Sequence, residues 1–336
     1  MTASAHGRVS FIVPVRNDAV RLKRCLESIR TNLGTGTDLE IVVADNGSTD
    51  DSREVASALG ARVLLLPGLR VSELRNRAAA SATGSVLAFV DADHELVPTW
   101  AAAAVEALQA SDVGAAGALY SAPRRGTWVQ RMYGALRGRS HGRHDVPWLG
   151  SGNLAVRRSA FDAIRGFDAS LEACEDVDFC QRLKRAGWRL LSDDRLESVH
   201  WGDPPTLAAL FRAERWRGRD NIRVSLRGPL QLRDVPSLVI PIVDLGAAAA
   251  LVGGVCALPA FGGAALATAL AGLLTIGGLA WLRALRIARN IPSRRSTDFA
   301  MAFLVALTYD LARALALTTR APHHRRAPAI ASPVAG

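Results

Sequence analysis

The sequence predicts an α/β domain built on a mostly parallel sheet with flanking helices, followed by a C-terminal transmembrane helical hairpin. Three observations predict it. Short apolar runs repeatedly end in acidic or turn-forming residues and then give way to helical spacing, the pattern of successive βα units. One run, Val86-Leu-Ala-Phe-Val90, leads straight into Asp91 and Asp93, as a buried strand does when it ends at the ligand-binding edge of an open sheet. Near residue 235 the composition turns apolar, and two stretches follow that are each long enough to cross a hydrocarbon core of ~30 Å.

The elements follow in order. Val9–Val15 is a strand closed by Arg16-Asn-Asp18, after which Ala19, Leu22, Leu26 and Ile29 recur at helical spacing. Leu39–Ala44 is a second strand stopping at Asp45-Asn-Gly-Ser-Thr-Asp50, and a helix from Asp51 to Leu59 comes next. Ala61–Leu66 reads as a short strand and Glu73–Ala82 as a helix, before Gly84 and Ser85 turn the chain into the Val86 strand. In that extended segment residues two apart point the same way, so Asp91 and Asp93 can face one hard cation such as Mg²⁺ or Mn²⁺. For Asp45 two roles stand open: accepting hydrogen bonds from a base edge or a ribose hydroxyl, or closing an Asx-turn over Gly47.

Composition narrows the function. The chain has 336 residues and a formal charge of +10, but its Lys and Arg gather around apolar segments and do not interleave with aromatics. That predicts a membrane-facing charge and no nucleic-acid partner. Cys25, Cys174, Cys180 and Cys256 have neither disulfide-framework nor zinc-ligand spacing, which fits a reducing compartment. Residues 1–8 carry no apolar core of a cleaved secretory signal, so the N-terminal domain is expected to stay cytoplasmic. No G-x-G-x-x-G follows the first strand and no Walker A sequence occurs, which argues against a dinucleotide fold or a P-loop.

Ile12-Val-Pro-Val-Arg-Asn17, Val43-Ala-Asp-Asn-Gly-Ser-Thr-Asp50, Leu74-Arg-Asn76 with Ala79–Gly84, and Phe89-Val-Asp-Ala-Asp93 together resemble the family 2 glycosyltransferases. These are inverting enzymes with the GT-A nucleotide-diphospho-sugar transferase fold. The order and spacing of the pieces carry the resemblance. It implies that Pro14, Val15, Arg16 and Asp45 bind the donor nucleoside and that Arg75 approaches the nucleotide. Asp91 and Asp93 then occupy the D-x-D position, holding ribose, diphosphate and a divalent cation, Mn²⁺ or Mg²⁺.

Leu96–Ala110 is predicted as a helix opened by Pro98, and Val113–Tyr120 as a strand. Residues 121–148 contain Arg124, Arg125, Arg131, Arg137, Arg139, His141, Arg143 and His144 with little periodicity, a basic mobile loop or short helix. The Gly-rich turn Trp148-Leu-Gly-Ser-Gly-Asn153 allows close backbone approach to a sugar. The resemblance assigns Trp148, Gly150, Ser151, Gly152 and Asn153 to donor-sugar and acceptor contact. Glu172-Ala-Cys-Glu-Asp-Val-Asp178 opens a helix, as acidic residues at a helix start do. Within it Glu175 and Asp176 fit the family's E-D motif, whose Asp is the general base. His200 falls where many members place a His in the metal or diphosphate shell. Arg215 and Trp216 stand at the position of a Q-x-x-R-W motif that binds diphosphate in processive synthases. Arg212 replaces its Gln, which counts against processive synthesis.

Residues 1–222 are thus expected to form the catalytic domain and 223–234 a basic juxtamembrane linker. The membrane region is expected over 235–319, with spans at 235–259 and 261–282 and a third apolar helix, 299–317, that spans the bilayer or lies at its interface. A basic, disordered tail, 320–336, completes the chain. Arg223, Arg227 and Arg233 precede the hairpin, and Arg283, Arg286, Arg289, Arg294 and Arg295 follow it, so the positive-inside rule keeps both flanks in the cytoplasm. The expectation is a multi-pass inner-membrane enzyme moving sugar from a nucleoside diphosphate donor to a lipid-linked or envelope glycan acceptor. Two alternatives stand beside it: a catalytically silent nucleotide-sugar-binding scaffold, against which the two intact acidic motifs argue, and a polyprenyl-phosphate sugar synthase.

Overall fold

The computed structural model describes residues 7–33, 38–138, 142–228, 232, 235–291 and 295–319. Arg139, His141, Arg233, Arg294 and the tail 320–336 lie outside the described residues.

The N-terminal part begins with β1 (Val9–Val15), α1 (Ala19–Arg30), β2 (Leu39–Asp45), α2 (Ser52–Ala58), β3 (Arg62–Leu65), α3 (Val71–Ser81) and β4 (Val86–Val90). All of β1 and β4 is buried, as strands covered by helices on both faces must be. β1 runs parallel to β2 and β4, pairing Val15 with Asp45 and Ile12 with Phe89. The C-terminal ends of the three strands, and the acids that follow them, therefore meet at one edge.

The chain continues through β5 (His94–Leu96), α4 (Trp100–Ala107), β6 (Val113–Gly117), α5 (Trp128–Arg137), β7 (Arg143–Asp145), β8 (Asn153–Arg157), α6 (Arg158–Ala163), α7 (Glu175–Arg185), β9 (Arg189–Asp193) and β10 (Ser198–His200). The sheet order is β3-β2-β1-β4-β8-β6-β9-β7, with β8 antiparallel to β4 and β6, and β7 antiparallel to β9. Pairing of Val90 with Asn153 brings the Gly-rich turn beside Asp91. β5 and β10 form a separate ribbon that sets His94 opposite His200. This ribbon claims Leu96, so the helix expected from Leu96 begins at Trp100 instead.

The basic segment read as a loop or short helix is helical over Trp128–Arg137. Thr127 and Gln130 form a reciprocal capping box at its start. Apolar side chains pack on both faces of the sheet. Phe11 stacks toward Trp100 on one face, and Phe89, Phe161, Phe167 and Phe179 interlock on the other.

Beyond the sheet lie α8 (Leu207–Arg217), α9 (Asn221–Ser225), α10 (Val235–Arg289) and α11 (Ser296–Ala316). α10 is a hairpin, because Gly262 turns the chain at φ 50°, a conformation that favours glycine. Its two legs approach closely at small residues: a Cβ on Gly254 would lie 2.6 Å from Ala269 N, and one on Gly272 2.4 Å from Ala247 O. By length and composition Val235–Arg289 and Thr297–Ala316 can each cross a membrane, with hydropathies of 2.1 and 1.5. α11 does not stand alone. Val305 and Ala306 share an apolar core with Ala284 and Ile287 of the hairpin, Tyr133 of α5 and Leu210 of α8.

Candidate active site

Where the strand ends converge, Arg75 is the central link. It projects from α3, is 2% exposed, and donates to Asp91 Oδ1 at 2.6 Å and to Glu175 Oε1 at 2.8 Å. A buried guanidinium needs such partners, and the pair of carboxylates holds it firmly charged. Ser151 Oγ also donates to Glu175, at 3.1 Å. The D-x-D segment, the Gly-rich turn and the acidic helix start are thereby joined through one side chain.

Asp176 is half-buried, and its Oδ1 accepts from the Val177 backbone at 2.8 Å. Burial and the neighbouring Glu175 push its carboxyl up, to about 7. Glu175 is engaged by Arg75, while Asp176 remains the carboxylate suited to accept a proton near neutral pH.

The second cluster lies around Asp93. Among the described residues, Asp93, His94 and His200 have ligand-type atoms within 4.8 Å of one another. Asp93 Oδ2 is 3.3 Å from His200 Nε2, and Asp93 Oδ1 is buried without a hydrogen-bond partner. Each imidazole is anchored by its other nitrogen: His94 Nδ1 lies 2.9 Å from Ser198 Oγ and His200 Nδ1 2.7 Å from Asp203 Oδ1. That second-sphere anchoring is what metal-ligating histidines have. Burial alone would lower the His200 imidazole, but Asp203 and Asp93 outweigh it and raise it to about 9. His94 is lowered to about 4 by burial and by the charge of His200. One orphaned carboxylate oxygen and two oriented imidazoles fit a divalent cation.

Two glycines make room for these groups. A Cβ at Gly152 would sit 2.6 Å from Asp91 Oδ2, and one at Gly202 would sit 1.8 Å from Asp93 Oδ2.

Pro14, Val15, Arg16, Asn46, Leu74 and Asp93 line the adjoining pocket together with Asp91. Asp45, paired with Val15, uses Oδ1 to accept from the Gly47 and Ser48 amides at 3.0 and 2.9 Å. Its Oδ2 is buried and without a partner. The Asx-turn and an unpaired acceptor thus coexist on one carboxylate, which is fully buried behind the residues lining the pocket.

Other expected residues sit differently. Asn153 spends its amide on Trp100 Nε1 and on the Ala118 and Leu196 carbonyls, tying β8 to its neighbours. Trp148 stays 47% exposed and Gly150 is half-buried. Arg215 and Trp216 lie on exposed faces of α8, whereas Glu214 and Arg217 turn inward. His94, Asp203 and Arg137 were not singled out as site residues. His94 directly follows the D-x-D, and Asp203 is three residues after His200, so both were open to notice.

An edge of parallel strand ends carrying a pocket, paired acids and a cation-type cluster is the arrangement of the GT-A fold. Residues 10–165 match Glycosyl transferase family 2, and this domain belongs to that family. The chain is similar to glycosyltransferase AglE of Haloferax volcanii, 26% identical over 70% of this chain and 80% of that protein. It is also similar to the succinoglycan biosynthesis protein ExoA of Rhizobium meliloti, 26% identical over 74% and 80%. The mannosyltransferase PcManGT of Pyrobaculum calidifontis, solved with GDP-Man and Mn²⁺, shares the fold with a TM-score of 0.59 at 20% identity, over 91% of this chain and 88% of that one.

Proposed function

We propose that the protein is an inverting, divalent-cation-dependent glycosyltransferase that moves a sugar from a nucleoside diphosphate donor to a lipid-linked or envelope glycan acceptor at the cytoplasmic face of a membrane. The observation that carries this reading is the Arg75 bridge between Asp91 and Glu175, which joins the nucleotide pocket to the acidic helix start in one cleft. The likeness to a succinoglycan biosynthesis protein and the apolar hairpin support the acceptor class and the membrane setting.

Asp45 Oδ2, Pro14, Val15 and Arg16 receive the nucleoside, and Asp91 with Arg75 orients the ribose and diphosphate. Asp93 and His200, with His94 beside them, are the residues that would hold the cation. Bound there, it supplies positive charge to the departing diphosphate. Asp176 accepts the acceptor hydroxyl's proton as that oxygen bonds to the anomeric carbon and the bond from that carbon to the diphosphate breaks on the opposite face. The backbone of Gly150–Gly152 and the exposed Trp148 border the sugar.

The test is transfer by the detergent-purified chain, with product configuration read by NMR. Wild type should invert the anomeric centre and Asp176→Asn should release no nucleoside diphosphate. Retention of configuration, or full turnover in the Asn variant, contradicts the assignment.

A further inference from the structure

His200 is useful to a cation only if its ring is held, and the groups that hold it extend far beyond the strand edge. Asp203, which fixes Nδ1, has no exposed side-chain surface. A carboxylate so placed needs a cation on its other side, and Arg137 of α5 supplies one in two-armed form, through a 2.6 Å bond to Oδ1 and a second to Oδ2. The Arg137 guanidinium in turn lies over the rings of Tyr120 and Tyr133, at 4.3 and 4.7 Å from their centres.

Tyr133 cannot slide, because its hydroxyl donates to Glu214 Oε1 at 2.6 Å. Glu214 is fully buried, and two guanidinium groups offset its charge: Arg217 on Oε1 at 2.8 Å and Arg313 on Oε2 at 2.8 Å. Arg313 belongs to α11. The helix is seated hard on α8 there, for a Cβ on Gly218 would meet Ala316 Cβ at 2.6 Å and Arg313 Cδ at 3.2 Å. On the far side, Asp310 accepts from Arg283 of the hairpin at 2.8 Å, and Tyr309 lies under both Arg283 and Arg313.

We propose that Arg137, Tyr133, Glu214 and Arg313 are positioning residues for the cation site, acting through Asp203 and His200, so that the C-terminal apolar helix completes the catalytic centre. The inference rests on the reading that Asp93 and His200 hold a divalent cation. A helix that served only as an anchor would need apolar contacts with the hairpin, not a buried charge contributed to a carboxylate of the catalytic domain. Each link removes a freedom from the next: Arg313 keeps Glu214 in place, Glu214 fixes the tyrosine, the tyrosine brackets Arg137, and Arg137 stops Asp203 from turning away from His200.

Mn²⁺ binding to the full chain in detergent micelles, read from the electron paramagnetic resonance signal of free Mn²⁺, tests this without turnover. Arg137→Met should weaken binding about 10- to 100-fold, the range for loss of a second-sphere partner. Glu214→Gln and Arg313→Met should weaken it by on the order of fivefold or more, and Arg313→Lys should recover most of the loss. Arg286→Met, on the exposed face of the hairpin, should bind as wild type does. If Arg313→Met fails to fold, Tyr133→Phe, which removes one hydroxyl and leaves the ring, decides: weaker Mn²⁺ binding supports the inference and unchanged binding overturns it. Folded Arg137, Tyr133 and Glu214 variants that bind Mn²⁺ as wild type does, while Asp93→Asn does not bind, sink the positioning role alone. No binding by wild type, or equal binding by Asp93→Asn, sinks the cation reading and this inference with it.

Discussion

Arg75 donates to Asp91 across 2.6 Å from a guanidinium that is only 2% exposed. Its removal would strand Glu175, whose side chain is 12% exposed, and Asp91, which at 37% can still be hydrated. Breaking a fully buried pair costs ~3–5 kcal/mol, and the open side of Asp91 places Arg75→Met near the lower end. Arg75→Lys keeps the charge but loses the two-armed fork, so it should melt closer to wild type while kcat/KM falls at least ~10-fold. Thermal denaturation beside steady-state kinetics checks both. Equal melting temperatures for wild type and Arg75→Met would count against the bridge.

Asp176 gives a pH prediction with a definite sign. Its carboxyl titrates near 7 when folded against 3.8 as a free group, through burial and the charge of Glu175. Because the folded value is raised, its contribution to stability is fully present below the unfolded value and is lost as pH rises through about 7. Turnover moves the other way, since only the ionised form accepts a proton, and kcat should drop as pH falls below 7. Asp176→Asn should therefore be inactive yet melt higher than wild type at pH 8, with the gap closing toward pH 4. A gap independent of pH contradicts the raised carboxyl.

The glycines beside the acids make a third, steric prediction. Gly202→Ala drives a methyl to within 1.8 Å of Asp93 Oδ2 and should abolish Mn²⁺ binding, whereas Gly277→Ala, with open space around it, should leave binding unchanged. Equal binding by both variants would mean that Asp93 is not a ligand.

How much of this site the sequence could disclose depended on chain distance. Asp91 and Asp93 stood out as the end of a strand, and Glu175 and Asp176 through the E-D motif of the family that the chain resembles. Arg75 was named, but its partner Glu175 lies 100 residues away, and no local rule pairs them. The same holds for Arg137 and Asp203, 66 residues apart, and for Glu214 and Arg313, 99 apart. The β5–β10 ribbon escaped because three-residue strands carry no readable alternation. The hairpin was legible from composition, although its turn falls at Gly262, just inside the expected second span. The docking of α11 on α8 was not, because it depends on a buried ion pair, not on apolar length.

Cys256 reports on the membrane. It lies six residues before the Gly262 turn, on an exposed face of the hairpin. Inserted in a bilayer, that thiol should resist a charged maleimide from either side and react only after detergent denaturation. Fast labelling in intact membranes would place the hairpin in water.

Donor binding by the purified full chain tests the central claim most directly. UDP-, GDP- and dTDP-sugars would be titrated with Mn²⁺ or with chelator present, following thermal stabilisation. The account predicts that one donor stabilises the wild type only with Mn²⁺, and that Asp93→Asn removes the effect. Stabilisation that is the same in chelator, or intact in Asp93→Asn, would contradict a cation-dependent nucleotide-sugar site at Asp91 and Asp93.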